Sequence, residues 1–236
     1  MAVLALDTSA AVAVALLDDL GTQLAARRVV ESRRHAELLA PMIEEVLAEG
    51  GLTPADLRAI VVGTGPAPFT GLRVGLVTAR TMAHALGIPV YGISSLDAIA
   101  SEAADVFDLP HESHVLVATD ARRSEVYYAR YTVDDVDVLG ARAVHTTAGP
   151  GVAAATDVVA AGHAEDAIVV GQGTEMYPSA FADVNTPDDA PCLPDPAYLA
   201  RLALSRVAAG EDLPSEPLYL RRPDAQEPPA RKRATG

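Results

Sequence analysis

The stretch AVLALDTSAAVAVALLDDLGTQLAARRVV, residues 2–30, decides the fold class. Its runs of valine, leucine and alanine predict three strands, over residues 2–6, 11–17 and 22–30. The polar turn Asp18-Asp19-Leu20-Gly21 separates the last two strands. Three short strands in direct succession predict an antiparallel meander, because tight turns join neighbouring antiparallel strands.

Helices and strands alternate after this meander. The predicted elements are a helix over 34–49 that contains Pro41, a strand over 59–63, a helix over 70–86, a strand over 88–92 and a helix over 95–105. This βββαβαβα order is the order of one lobe of the actin, Hsp70 and sugar-kinase (ASKHA) fold. We therefore predict an α/β protein whose mixed sheets carry helices on their faces.

The pattern restarts after about residue 106. It predicts strands over 115–119, over 124–133 and near 135–140, a helix over 150–160, a strand over 167–170, and helices near 174–181 and over 196–208. We therefore predict two lobes, an N-terminal one over 1–105 and a C-terminal one over 106–220. A polar tail follows over 221–236.

The charge balance argues against a protein that binds nucleic acid by itself. The 236 residues include 18 basic and 32 acidic ones, a formal net charge of −14. The tail has five basic and two acidic residues, so it carries +3 and the other 220 residues carry −17. A phosphate backbone is bound by a basic surface, so RNA is expected to be contacted only indirectly, through partners. The tail could touch RNA or an acidic partner, but a solvated chain end is the favoured interpretation.

Two rare residue types exclude several kinds of chemistry. The only lysine, Lys232, lies in the tail, which argues against a Schiff-base lysine or a P-loop. The only cysteine, Cys192, excludes an internal disulfide and a thiolate-rich zinc site, and fits a reducing compartment. The apolar run over 10–17 is too short to cross a bilayer, so we expect a cytoplasmic protein that does not enter a membrane.

Candidate nucleotide-binding residues lie at the ends of two predicted strands. The first group ends the opening strand, where the Asp of an actin-like lobe can hold a hydrated magnesium ion. The second group could form a phosphate loop after the strand over 167–170. Simple turns are the competing explanation for both groups. The candidates are Asp7, Thr8, Ser9, Gly171 and Gly173.

The sequence shows no convincing catalytic constellation. His111 and His114 are three residues apart, but they flank the start of a strand in a polar loop, so we predict no metal site. No G-x-S-x-G nucleophile elbow occurs. An ATPase or small-molecule kinase on this fold would need Asp7 to hold magnesium and a second acid, such as Asp120, to act as the base. We favour a binding role without catalysis.

Two predicted helices carry candidate partner-binding residues. On the helix over 70–86, small residues recur every four positions and form a ridge that lets another helix approach closely. On the helix over 34–49, apolar residues form two adjacent rows. Either both faces are buried within one domain, or one face meets a partner. The candidates are Leu38, Leu39, Met42, Ile43, Val46, Gly71, Gly75, Ala79, Met82 and Ala83.

Several motifs together resemble one known family. They are VLALDTS at 3–9, HAELLAP at 35–41, VVGTGPAPFTGLRVGLVTAR at 61–80, VYGISSLDAIA at 90–100, DARRSEVYYARY at 120–131 and PLYLR at 217–221. Their order is that of the TsaB (YeaZ) family, whose members are needed for threonylcarbamoyladenosine in tRNA. The usual Gly-Ser of this family is replaced by Ala67-Pro68, which weakens any anion-binding role for the glycine loop over 63–73.

The resemblance implies a fold and a role. The family has the actin-like fold and is similar to the catalytic protein TsaD, which carries two metal-binding histidines on the helix after its equivalent of the strand over 88–92. The segment SSLDAIASEAA, residues 94–104, has no histidine here. The resemblance therefore implies a non-catalytic subunit without intrinsic cofactors.

The resemblance also implies partners. Family members pair with TsaD through the first two helices of the N-terminal lobe, and the ATPase TsaE supports the transfer of a threonylcarbamoyl group to the adenosine beside the anticodon. The resemblance places ATP or ADP with magnesium at the interface of the complex and not within this chain. Alone, such a chain is expected to form a homodimer.

Overall fold

The computed structural model describes residues 2–30, 34–136 and 139–221, without the side chains of residues 135 and 136. The first sheet has the strand order β3-β2-β1-β4-β5. The first three strands are antiparallel, and β4 and β5 run parallel to β1, which confirms the predicted meander. The strands are β1 (Ala2–Asp7), β2 (Val12–Asp18), β3 (Gln23–Val29), β4 (Leu57–Gly63) and β5 (Val90–Ile93).

Helices cover both faces of the first sheet. Helices α1 (His35–Glu49) and α2 (Phe69–Leu86) pack on one face. A helix near the C-terminus, over Pro196–Ala208, packs on the other face. Burial on both faces explains the nearly continuous apolar sequence of β1. In the described part of the chain, no helix has the length and apolar character that a membrane span requires.

The second sheet repeats the arrangement of the first. Its order is β8-β7-β6-β9, with three antiparallel strands and β9 parallel to β6. The predicted α/β architecture with two mixed sheets is therefore confirmed. The remaining elements are α3 (Ser95–Val106), β6 (His114–Asp120), β7 (Glu125–Val136), β8 (Arg142–Ala154), α4 (Ala155–Ala160), β9 (Ala167–Val170), α5 (Gln172–Met176) and α6 (Pro196–Ala208).

The helices α3 and α6 are exchanged between the two sheets. Helix α3 follows the first sheet in sequence but places Leu96 and Ile99 in the core of the second. Helix α6 follows the second sheet but packs Leu199 and Leu202 on the first. The exchange joins the two halves through buried apolar surface. The lobe boundaries at residues 105 and 220 stay a prediction.

A buried polar contact joins the exchanged helices to the second sheet. Asp97 on α3 accepts a 2.9 Å hydrogen bond from the Tyr131 hydroxyl on β7. The other oxygen of the same carboxylate forms a 2.8 Å ion pair with Arg206 on α6. Burial raises the pKa of Tyr131 well above its usual value, and the charge of Asp97 raises it further. Tyr131 therefore stays protonated and acts as a donor.

The segment of residues 211–221, which we call the C-terminal strap, crosses the edge of the first sheet. The Leu213 carbonyl accepts a 3.0 Å hydrogen bond from Gly92 on the edge strand β5. The Leu218 amide donates a 2.8 Å hydrogen bond to Thr64. The strap ends at Arg221, beside the turn between β6 and β7. The rest of the predicted tail, residues 222–236 with Lys232, lies outside the described residues.

Three element bounds predicted in the second half are wrong. The helix predicted over 150–160 is limited to α4, because β8 continues to Ala154, which pairs with Glu125 on β7. The third strand of the second meander is thus β8 rather than a strand near 135–140, a range that falls partly outside the described residues. The helix predicted near 174–181 ends at Met176. In residues 150–154, pairing with β7 overrides the local helix propensity of Ala153 and Ala154.

The candidate partner-binding residues on α1 and α2 do not form an exposed patch, so their role in pairing stays a prediction. Seven of the ten candidate partner-binding residues face the first sheet of their own chain, and three are half-buried. In α2 the small-residue ridge turns inward together with Leu72 and Leu76. The buried candidates are Leu39, Met42, Ile43, Val46, Gly75, Ala79 and Ala83; the half-buried ones are Leu38, Gly71 and Met82.

The close approach of α2 to β1 explains the glycine at position 75. The Gly75 amide donates a 3.0 Å hydrogen bond to the Thr8 hydroxyl, which itself donates to the Gly71 carbonyl at 2.9 Å. A Cβ atom on Gly75 would lie 2.5 Å from Thr8 Oγ1. The ridge therefore lets α2 approach its own β1.

We expect Gly75→Leu to destabilise the fold itself. The added side chain would force α2 away from Thr8, and such overpacking lowers the free energy of unfolding by about 2–3 kcal/mol. Ala85→Leu, an exposed change on the same helix, is the matched control, with an expected effect of less than about 0.5 kcal/mol. Urea unfolding of the two variants measures the difference. Equal stabilities would contradict the inward orientation of the ridge.

Glu102 on α3 lies in an acidic region between α3 and α6. Its Oε2 atom is buried and has no hydrogen-bond partner among the described residues. Burial, with the nearby charges of Asp195 and Asp105, raises the pKa of Glu102 to about 7, although Arg28 opposes the shift. The protonated carboxyl is therefore favoured in the folded state.

This raised pKa predicts a pH-dependent stability. Because the pKa is higher in the folded than in the unfolded chain, the stability given by the protonated Glu102 is lost as pH rises from about 4.5 through 7. Glu102→Gln should remove this loss and stabilise the protein at about pH 8 by at most about 3 kcal/mol. Urea unfolding at about pH 5 and pH 8 measures the effect. Glu44→Gln, at an exposed site on α1, is the control and should leave the pH dependence of the unfolding free energy as in the wild type. If Glu102→Gln shows the same pH dependence as the wild type, the prediction is refuted.

Candidate functional site

The carboxylate of Asp7 lies at the point where β1 ends between the two sheets. One of its oxygens accepts hydrogen bonds from the Ser9 amide at 2.7 Å and from the Ser9 hydroxyl at 2.6 Å. The other accepts a 2.5 Å hydrogen bond from the Ser95 hydroxyl at the start of α3. Burial raises the pKa of Asp7, and the hydrogen bonds from the two serines lower it again in part.

The glycine loop over 63–73 is held by the same region of α3. The Gly65 amide donates a 3.2 Å hydrogen bond to Ser95 Oγ, and the Gly65 carbonyl accepts one from the Ser95 amide at 2.8 Å. The Ser94 hydroxyl also donates to that carbonyl. The polar groups at Gly65 are thus used inside the chain, which leaves them unavailable to an anion.

The space next to Asp7 is nearly closed. A cavity of about 10 Å³ remains between the turn at Ser9, the loop at Pro66 and the start of α3 at Ser95. This volume holds about one water molecule and no phosphate group. Asp7 is 1% exposed and has its two oxygens engaged, so it is poorly placed to hold a hydrated magnesium ion.

The amides of Gly171 and Gln172 are used inside the chain rather than presented to a phosphate. The Gly171 amide donates to the Pro191 carbonyl at 3.0 Å, and the Gln172 amide donates to Cys192 at 3.2 Å. Gly171 and Gly173 both pack against the Ala118 carbonyl of β6, where a Cβ atom would come within 2.4 Å and 2.9 Å of its oxygen. The two glycines thus allow α5 to lie close to β6. Their nucleotide role, like that of Asp7, Thr8 and Ser9, stays a prediction.

A wider cleft opens outside this closed region. It has a volume of about 490 Å³ and is lined by residues of both halves, among them His35, Phe69, Asp120, Arg122 and Met176. Asp120, considered above as a general base, accepts a 2.7 Å hydrogen bond from the Arg122 amide and lies 3.4 Å from its guanidinium. Asp120 therefore shapes the β6–β7 turn.

Of the histidines considered in the sequence, His111 lies just before β6 and His114 begins that strand. His111 lies 3.6 Å from Asp134, and His145 contacts the same carboxylate. His114 instead contacts the Thr132 hydroxyl at 3.1 Å. Among the residues that the structure describes, no group of three or more His, Cys, Asp or Glu side chains could hold a metal ion.

The outward face of α2 is a surface that the sequence reasoning missed. It is an uncharged stripe opposite the buried ridge, and Val77 at its centre is 62% exposed. The sequence contains a pattern that could have revealed this face: besides the small-residue ridge, uncharged residues recur on α2 at intervals of three and four positions. We call this set the α2 stripe: Thr70, Val74, Val77, Thr81 and Ala85.

The two borders of the α2 stripe differ in chemistry. On one side, Arg73 stacks its guanidinium 3.5 Å from the centre of the Phe69 ring and donates a 3.0 Å hydrogen bond to the Tyr219 hydroxyl on the strap. On the other side lies α1, whose exposed face is acidic. Its exposed acidic residues are Glu37, Glu44, Glu45 and Glu49.

Comparisons with known proteins agree with this architecture. A family model described as TsaD, tRNA N6-adenosine threonylcarbamoyltransferase, matches residues 29–184. An uncharacterized protein of Mycobacterium tuberculosis is 43% identical over 203 residues, which cover 86% of this chain and 82% of that protein.

Two further matches extend over nearly the whole chain. The tRNA threonylcarbamoyladenosine biosynthesis protein TsaB of Haemophilus influenzae is 32% identical over 227 residues, 94% of each protein. The solved structure of YeaZ from Pseudomonas aeruginosa has a TM-score of 0.73 and 30% identity, and the match covers 93% of this chain and all of that one. The actin-like fold predicted from the element order is confirmed. The chain belongs to the TsaB (YeaZ) family.

Proposed function

We propose that this chain is a non-catalytic subunit that supports the formation of threonylcarbamoyladenosine in tRNA by pairing with a TsaD-type catalytic subunit. The α2 stripe, bordered by α1, is the surface for this pairing. The TsaB relatives are named for this biosynthesis, and the match to the TsaD family model supports a partner of related structure.

The α2 stripe is the observation that carries this proposal. It exposes valine, threonine and alanine over four turns of one helix without a charged side chain, although 21% of the chain is charged. Uncharged helix faces of this kind bury well against another helix, and depletion of charge marks the centre of protein interfaces. On α1 beside it, Glu37, Glu45 and Glu49 form ion pairs with arginines of this chain, and the exposed Glu44 favours a basic residue on the partner.

The geometry around Asp7 supports a role without catalysis. The carboxylate that would hold magnesium in an actin-like enzyme is engaged by Ser9 and Ser95, and only about 10 Å³ of space lies beside it. ATP or ADP therefore acts, in this proposal, at the interface of the assembled complex, with the help of a TsaE-type ATPase. The complex works in the cytoplasm, and the α2 stripe pairs with a second copy of this chain when no catalytic subunit is present.

Val77→Arg is expected to prevent pairing with the catalytic subunit. The new charge would be buried in the interface without a partner, which should raise the dissociation constant by at least about tenfold. The fold should remain intact because Val77 is 62% exposed. Val106→Arg changes a 56% exposed valine on α3 and serves as the matched control. Calorimetric titration of the catalytic subunit into each variant measures the affinity.

Three outcomes would contradict the proposal. Pairing that is unchanged by Val77→Arg, or weakened equally by both variants, would remove the α2 stripe from the interface. Tight binding of ATP and magnesium by the isolated chain, measured in the same calorimeter, would instead favour the ATPase or small-molecule kinase.

A further inference from the structure

The segment over residues 57–96 carries only positive charge. It includes the whole of α2 and contains Arg58, Arg73 and Arg80 but no aspartate or glutamate, a net charge of +3. The rest of the chain contains 15 basic and 32 acidic residues, a net charge of −17. An acidic group of another molecule is therefore repelled less at the surface of α2 than over most of this protein.

The two arginines of α2 differ in how the chain uses them. Arg80 is bound to the C-terminal strap, because it donates hydrogen bonds of 2.9 Å and 2.6 Å to the hydroxyl and carbonyl oxygens of Ser215 and lies 3.9 Å from the Glu216 carboxylate. Arg73 donates from its Nε atom to the Tyr219 hydroxyl at 3.0 Å. Within the described ranges no carboxylate pairs with Arg73, so the N–H groups of its two terminal nitrogens are available to a partner.

Two aromatic rings hold the guanidinium of Arg73 in place. Its central carbon lies 3.5 Å from the centre of the Phe69 ring, and the centres of the Phe69 and Tyr219 rings are 4.8 Å apart. The strap fixes Tyr219, because the neighbouring Leu218 amide donates a 2.8 Å hydrogen bond to the Thr64 carbonyl. A guanidinium that is positioned before binding loses little side-chain entropy when it meets its partner.

The positioned arginine lies at the border of the α2 stripe. Arg73 and Val77 are four residues apart on α2, so they are neighbours on its surface. Arg73 is exposed, and Tyr219 is 40% exposed. Arginine and tyrosine beside an uncharged centre are typical of the residues that supply most of the binding energy of protein interfaces. A phosphate backbone would use the charge of Arg73 but not the uncharged stripe, so the arrangement favours a protein partner.

We infer that Arg73, held by Phe69 and Tyr219, binds an exposed carboxylate of the catalytic subunit at the border of the α2 stripe. The planar guanidinium matches the two oxygens of a carboxylate, so an aspartate or glutamate side chain is the group that it recognises. Across the stripe, the exposed Glu44 favours a basic residue. The partner therefore needs opposite charges on the two sides of its apolar face, and this requirement fixes the orientation in which it docks. The inference rests on the proposed function and adds to it the group that selects the partner.

Loss and reversal of the charge at position 73 test this inference. The full chain and its variants are titrated with the catalytic subunit in a calorimeter at low and at high salt. At low salt we expect Arg73→Gln to raise the dissociation constant about tenfold and Arg73→Glu to raise it at least about fiftyfold, because the carboxylate loses its partner or meets a like charge. Both losses should be smaller at high salt, where charges are screened.

Arg58→Glu is the matched control for the effect of net charge. It makes the same change of charge within the segment that lacks acidic residues. Arg58 is exposed near the start of β4, whereas α2 begins beyond the other end of that strand. The control should change the dissociation constant by less than about twofold. Urea unfolding of the three variants verifies that each keeps its fold.

A rescue experiment separates a direct contact from a structural role of Arg73. Each exposed aspartate and glutamate of the catalytic subunit is changed in turn to arginine, and each product is titrated with the wild-type chain and with Arg73→Glu. We expect one of these changes to weaken binding to the wild type and to restore binding to Arg73→Glu, because it forms the ion pair with its charges exchanged.

Three results would overturn the inference. They are an unchanged dissociation constant in both Arg73 variants, an equal loss in Arg58→Glu, and the lack of any rescuing change on the catalytic subunit. In the first case, weaker binding of tRNA by the assembled complex would assign Arg73 to a phosphate group, and weaker self-association in sedimentation would assign it to a second copy of this chain.

Val77→Arg distinguishes failure of the inference from failure of the proposed function. If Val77→Arg prevents pairing while both Arg73 variants bind like the wild type, the inference alone fails. If the wild-type chain does not bind the catalytic subunit, the inference and the proposed function fail together.

Discussion

The buried carboxylate of Asp7 is the constraint on which the rest of the structure depends. It ends β1, and its hydrogen bonds with Ser9 and Ser95 tie this strand to its own turn and to the start of α3. The adjacent Thr8 binds the backbone of α2 at Gly75. A buried carboxylate is costly unless its oxygens are satisfied, so this network holds the glycine loop, α2 and α3 in one arrangement.

This arrangement uses the polar groups that an actin-like enzyme would direct at a nucleotide. Because the space beside Asp7 is filled, the surfaces that remain for function lie on the outside of the molecule. They differ in chemistry: the α2 stripe is uncharged, and the neighbouring helix α1 exposes four glutamates. A protein with unlike surfaces of this kind is suited to assembly with a partner.

Comparison of the predicted and observed elements shows where sequence patterns succeed. The first meander and the helices of the first half followed from apolar runs and turn residues. The end of β8 was misjudged because residues 150–154 pair with β7, a contact that their local sequence does not reveal. The candidate partner residues lie on the inward faces of α1 and α2 for a different reason. Periodicity shows which residues of α2 share a face, but both of its faces are free of charge and small enough to be buried.

The sequence by itself determined the α/β class, the repeated strand order, the acidic body and the family, because propensity, composition and motif order are local properties. Only the tertiary structure decided which face of α2 is buried, since that depends on a contact between Thr8 and Gly75, 67 positions apart. It also decided that Arg221 meets the β6–β7 turn, 100 positions away at Ala121. Such contacts depend on how the two sheets and the exchanged helices pack, because long-range packing sets which side chains meet and which remain on the surface.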